Sequence, residues 1–138
     1  MHKLIQLREA GAGFDEIAAI LAPDVVFKSP VFSRNVEGRE QVAKSMLAAA
    51  SARNGRYVSE MSDGNRTLLV WSGTVDGKPL DSFEMLLHDD AGLIVERTVA
   101  MRPFSSVVHF RNAMYRAMKD TLGPSYFKLA DDLVIEGA

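Results

Sequence analysis

The sequence predicts an α+β fold in which a curved antiparallel sheet wraps around helices that come first in the chain. Three observations carry this reading. Up to Ala52 the apolar residues recur chiefly at helical steps, whereas from Tyr57 to Met101 they alternate as in strands. The turn signals Asp76-Gly77 and Asp89-Asp90-Ala91-Gly92 fall between alternating runs, where hairpins need them. A chain of 138 residues, 47% hydrophobic and 25% charged, has the make-up of one compact domain, here read as residues 1–138.

Taken in order, Leu4, Ile5 and Leu7 open a first helix, which breaks at Gly11-Ala12-Gly13. Phe14, Ile17, Ala18 and Leu21 recur at helical spacing, and Pro23 closes that second helix. Val25 to Ser29 is short, β-branched and stopped by Pro30, as a strand would be, and a loop runs on to Gly38. Arg39 to Ala52 is alanine-rich, with Val42, Met46 and Leu47 forming an apolar stripe, and Asn54-Gly55 ends it. Four strands follow: Tyr57 to Met61, Thr67 to Val75, Leu80 to His88 and Leu93 to Met101. Consecutive hairpins build a meander, so the sheet is expected to be antiparallel and strongly bent, with one face covered by the helices. After Pro103, residues Val107, Phe110, Met114, Ala117 and Met118 mark an amphipathic helix reaching about Leu122, before Gly123-Pro124. Tyr126, Phe127, Leu129 and Leu133 make the tail too apolar for a typical disordered end.

Charge and composition exclude several classes. A net charge of −2 and a pI near 5.9 give no electrostatic footprint for nucleic acid. The absence of cysteine removes disulfides, thiol catalysis and iron–sulfur clusters. The first residues lack the apolar core of a signal peptide and no apolar run reaches bilayer length, so a soluble cytoplasmic protein without membrane association is expected. His2, His88 and His109 have no metal-ligand spacing, and neither a metal nor a cofactor is expected. Gly11-x-Gly13 follows a helix and lacks a third glycine, which makes it a helix break rather than a nucleotide loop.

The chemistry centres on Glu84. Strand alternation places Phe83, Met85 and Leu87 on one face and Ser82, Glu84 and Leu86 on the other, so Glu84 shares its face with a leucine. If that face lines a closed pocket, desolvation raises the Glu84 pKa and keeps it protonated as a donor or proton shuttle. If it meets water, Glu84 is an ordinary polar position. A third reading pairs Glu84 or Asp81 with Arg97 or Arg102 of the next strand, which leaves the carboxylates ionised and structural. Asp81 lies three residues before Glu84, and a bulge would bring both carboxylates into one cavity. His88 has the parity of Glu84 and is a second proton-carrying candidate, against its bland reading as a solvated strand end. Phe27, Trp71, Phe83, Met85 and Met101 are candidate walls of a cavity, or plain core.

Several short segments in order carry a family likeness: Val26-Phe27-Lys28-Ser29-Pro30, then Gly38-Arg39-Glu40-Gln41-Val42, then the meander closing on Arg102-Pro103. Together they resemble the nuclear transport factor 2-like superfamily, in its SnoaL-like branch with polyketide cyclases and ketosteroid isomerases. The likeness covers roughly residues 4–104 and implies a cystatin-like cone, with residues 105–138 as an added C-terminal helix and tail. It also implies an apolar cavity open at one end, and often a homodimer through the outer sheet face. In the ketosteroid isomerases an aspartate base precedes the proline of the first strand, and that position here is Ser29. The acid they keep neutral in the third meander strand falls on Glu84. Their first-helix tyrosine has no counterpart between His2 and Ala10. The acid that the cyclases need in the last strand is absent from Arg97-Thr98-Val99, and the Arg-x-Asp of limonene-type epoxide hydrolases is replaced by Trp71-Ser72-Gly73.

Two functions fit these residues. One is a binding module whose cone holds an apolar small molecule, lined by Phe27, Ser29, Trp71, Phe83, Met85, Arg97 and Met101, with Glu84 orienting a polar group. The other is a cofactor-free isomerase, cyclase or hydrolase acting on steroid-, terpenoid- or polyketide-like molecules. There Glu84 would stabilise charge, and Asp81 or His88 would move the proton.

Overall fold

The computed structural model describes residues 1–138. Two short helices, α1 (Lys3–Glu9) and α2 (Phe14–Ala19), lead into β1 (Leu21–Lys28) and the two-residue β2 (Val36–Glu37). Helix α3 (Arg39–Ala52) precedes a meander of β3 (Asn54–Asp63), β4 (Arg66–Val75), β5 (Lys78–His88) and β6 (Ile94–Arg102). Helix α4 (Phe104–Leu122) and a 3-10 turn, Pro124–Tyr126, complete the chain. No helix is long and apolar enough to cross a membrane.

The six strands form one sheet in the order β2-β1-β6-β5-β4-β3. Its pairs are antiparallel except β1 with β6, which run parallel, so the sheet is mixed. That parallel pair joins the first long strand to the last, a non-local contact that no hairpin signal announces. Leu21 belongs to β1 and not to α2: its partner is Ile94, and the register then shifts before Val26 pairs with Glu96. Pro23 sits exposed in that irregular stretch, where a missing N–H costs no ladder bond. Asn54-Gly55 both ends α3 and begins β3. The Asp76-Gly77 turn has φ of 51° and 74°, the left-handed pair that a two-residue hairpin loop requires.

The concave face of the sheet carries a continuous core of 26 buried residues shared with the helices. On β5 the pattern is regular: Leu80, Ser82, Glu84 and Leu86 are buried, whereas Phe83 faces outward and is 40% exposed. Helix α4 buries Ser106, Phe110, Met114 and Met118, a four-residue stripe that seals the core. The tail adds Phe127, edge-on to Phe32 at 5.4 Å and to Tyr115 at 5.2 Å, and its burial contributes about 2 kcal/mol. Leu129, Leu133, Val134 and Ile135 beyond it are exposed.

Candidate functional site

Glu84 is 1% exposed, in register with Leu69 of β4 and Val99 of β6 at the centre of the concave face. Neither carboxylate oxygen is free. Tyr57 Oη donates to Oε1 at 2.7 Å, and Arg97 Nε donates to Oε2 at 2.5 Å. Arg97 is itself 2% exposed, and its guanidinium lies over the Phe27 ring at 4.5 Å. Burial alone would push the Glu84 carboxyl up. The Arg97 charge, the Tyr57 hydrogen bond and the further charges of Arg8 and Arg53 outweigh it and hold the carboxyl below its ordinary value. Glu84 is therefore held as a carboxylate, which favours the reading that pairs it with Arg97 over the neutral acid: the desolvated face exists, but it also holds cations. Tyr57 is pushed up to about 12 by burial and by the Glu84 charge, so it remains a phenol that donates.

Arg53 caps the C-terminal end of α3, is 7% exposed and stacks over the Trp71 indole at 4.1 Å. Burial draws its guanidinium down to about 10; Glu84 and Tyr57 oppose the shift, and Arg8 and Arg97 add to it. Arg8 comes from α1 and donates through Nη1 to the Met46 carbonyl at 2.8 Å. Three buried guanidinium nitrogens in this group, Arg8 Nη2, Arg53 Nη1 and Arg97 Nη1, have no hydrogen-bond partner. One carboxylate thus faces three guanidinium groups, and the interior carries an excess of positive charge.

A cleft of about 160 Å³ opens beside this cluster, lined by Arg8, Glu9, Ala50, Arg53, Arg56, Tyr57, Trp71 and Gly55. Its floor depends on two glycines. Gly55 and Gly73 are cross-strand partners, and a Cβ on Gly73 would stand 2.1 Å from the Asn54 carbonyl oxygen and 2.7 Å from the Trp71 ring. The missing side chains let β3 and β4 approach and let the indole lie across them.

The other sequence candidates fall elsewhere. Phe83 and Met85 lie on the convex face, because their parity is opposite to that of Glu84, and they do not line this cleft. Asp81 shares that outer face. It pairs with Arg102 at 2.8 Å and accepts from Ser72 at 3.0 Å, so no bulge brings it to Glu84. The Ser29 hydroxyl accepts from the Val31 N–H at 3.1 Å, which makes it a turn residue after β1. Met101 has the inward parity and packs against the core without reaching the cleft lining. Phe27 and Trp71 are buried beneath the two guanidinium groups.

His88 sits at the end of β5 beside His2, which sequence reasoning weighed only as a metal ligand. The Leu4 N–H donates to His2 Nδ1 at 3.0 Å, so the His2 proton is on Nε2 and is donated to His88 Nε2 at 2.8 Å. The His88 proton is then on Nδ1 and goes to the Asn65 carbonyl at 2.9 Å. Burial and His88 lower the His2 pKa, against opposing pulls from Glu60 and Glu84. With Tyr57, Arg8 and Arg53, His2 is one of four contributors missed in the sequence. For the arginines a signal existed: Arg8 is four residues after Leu4, and Arg53 four after Ala49, on the buried stripes of their helices.

A second, apolar groove of about 350 Å³ runs along α4, walled by Val31, Phe32, Phe104, Val107 and Phe127 with tail residues. It contains none of the Glu84 cluster.

No protein-family model and no curated protein sequence matches the chain. Solved structures do. An uncharacterised bacterial protein with a cystatin-like fold from Silicibacter pomeroyi superposes with a TM-score of 0.80 at 25% identity, over 86% of each chain. A steroid delta-isomerase from Pseudomonas aeruginosa gives 0.78 at 25% identity, over 85% of this chain and 87% of its own. An NTF2-like protein of unknown function from Cytophaga hutchinsonii gives 0.58 at 19% identity, over 73% and 85%. The architecture is a cystatin-like α+β cone. In fold the chain is similar to NTF2-like proteins and to the steroid delta-isomerase.

Proposed function

We propose that this protein is a small-molecule-binding domain that holds its ligand in the cleft between α1, the end of α3 and strands β3 and β4, without proton transfer through Glu84. The observation that supports this reading is the state of Glu84. Its two oxygens are already occupied by Tyr57 and Arg97, and its carboxyl is held ionised, so it is poised neither to donate a proton nor to accept one from a carbon acid. The base position holds Ser29, engaged in a turn, and Asp81 and His88 face other partners. What remains beside the cluster is a concave, partly apolar site with convergent polar groups, the usual form of a ligand pocket. The cleft is about 160 Å³, smaller than the 300 Å³ or more typical of drug-sized ligands, so a steroid skeleton does not fit inside it.

Trp71 is the only tryptophan and forms part of the cleft wall, so its fluorescence reports occupancy directly. A thermal-shift screen of small acids, amides, amines, steroids and terpenoids, followed by Trp71 titration of the hits, tests the reading. Hits that both raise Tm and change the indole emission saturably support it. If every stabilising compound leaves Trp71 emission untouched, the binding site is elsewhere and the proposal is wrong.

A further inference from the structure

We infer that the cleft takes a small carboxylate with a flat apolar body about the size of one six-membered ring, held by the guanidinium groups of Arg8 and Arg53, which both line it. This rests on the reading that the cleft is a ligand site and specifies the chemistry of that ligand. Charge comes first. The lining holds Arg8, Arg53 and Arg56 against Glu9 alone, an excess of two positive charges, and deeper in, Glu84 is fully engaged by Arg97 and Tyr57. Guanidinium nitrogens kept from water are costly to leave unpaired. Arg8 Nη2 and Arg53 Nη1 are both in that condition, and Arg53 is 93% buried. A planar carboxylate has two oxygens to offer and matches the guanidinium fork in geometry and charge.

Size and shape supply the rest. A cavity of roughly 150 Å³ accommodates a benzene ring, so a space of about 160 Å³ suits a single ring or a comparable branched chain. The walls are the Trp71 indole, Ala50 and the backbone at Gly55, which favour a flat body. The second groove, walled by Phe104 and Phe127, has no such paired cations and is not part of the site.

The test compares benzoate with its neutral isostere benzamide, with inorganic phosphate as an anion without a ring, each titrated against Trp71 fluorescence of the whole chain. Benzoate is expected to bind at least about tenfold tighter than benzamide, since only the anion makes charge-assisted bonds to both arginines, and added salt should weaken it. Arg8→Gln should weaken benzoate much more than benzamide and so remove most of that preference, and Arg8→Lys should restore part of it. Far-ultraviolet circular dichroism verifies that each variant is folded, and the benzoate–benzamide comparison on the unaltered protein needs no variant. If benzamide binds as well as benzoate, the cleft reads shape alone and this inference fails while the binding reading stands. If phosphate matches benzoate, the inference of an apolar body fails. If no compound of any charge perturbs Trp71, both fall together.

Discussion

Replacing Glu84 by Gln distinguishes a buried carboxylate from a buried neutral acid, because glutamine copies the shape of the protonated form and lacks the charge of the other. In the structure Glu84 accepts one bond from Tyr57 and one from Arg97, both within the core. Hydrogen bonds to a charged group contribute about 1.5–3 kcal/mol each, whereas the neutral bond Gln would keep with Tyr57 is worth about 1 kcal/mol. Stripping one partner from a buried pair typically costs about 3–5 kcal/mol, since the remaining charge stays desolvated. A loss of about 3 kcal/mol or more is therefore expected, with Tm falling by about 10 °C. Urea denaturation at neutral pH measures it. The pH dependence gives a second reading of the same quantity. The folded Glu84 pKa lies below 4.5, so its stabilisation is fully present above about that pH and is lost as the pH falls through the folded value. The gap between the protein and its Glu84→Gln variant should shrink in acid accordingly. A cost below about 1 kcal/mol at neutral pH that does not change in acid would refute the ionised pair and revive the neutral-acid mechanism.

Two further outcomes follow from the geometry. Gly73→Ala should destabilise by about 2 kcal/mol or more, the scale of a clash that backbone must relieve, and should shift Trp71 emission because the new methyl meets both the Asn54 carbonyl and the indole; an unchanged Tm and spectrum would mean that the glycines are not shaping the cleft. For His2, whose pKa is lowered first by burial and then by His88, the unfolded chain takes up the proton before the folded one does. Stability should thus be undiminished above pH 6.5 and decline as pH falls from there towards the folded value, and a His2 resonance titrating at or above 6.5 by NMR would contradict it.

The meander, its hairpin turns and the final helix are legible because their signals are local: alternation, Asp-Gly and Gly-Pro punctuation, and a four-residue apolar stripe. Glu84 is legible too, since its parity with Leu86 follows from the strand alone, and its pairing with Arg97 was one of the three readings open to it. What escapes is non-local. The parallel β1–β6 pair has no sequence signature, and β2 is two residues inside a loop. Leu21 keeps helical spacing to Ile17 and Ala18 yet joins a strand, because its partner Ile94 lies far along the chain. The arginines were missed for a different reason. A lone cation at the end of an apolar stripe ordinarily reaches for water, and only the folded arrangement shows Arg8 and Arg53 turning inward together.

The two edges of the sheet are defended in different ways. A free strand edge is a template on which other chains can add, and long flat edges are the ones that seed fibres. At one border stands β2, too short to template anything. The other border is ten residues long, but the register slips between Tyr57 and Ser59, and Arg56, Glu60 and Asp63 stand along it. The slip falls just past Tyr57, whose phenol reaches Glu84, and breaks the straight ladder an intruding strand would need, so the strand that serves the interior also guards the colloidal behaviour of the protein.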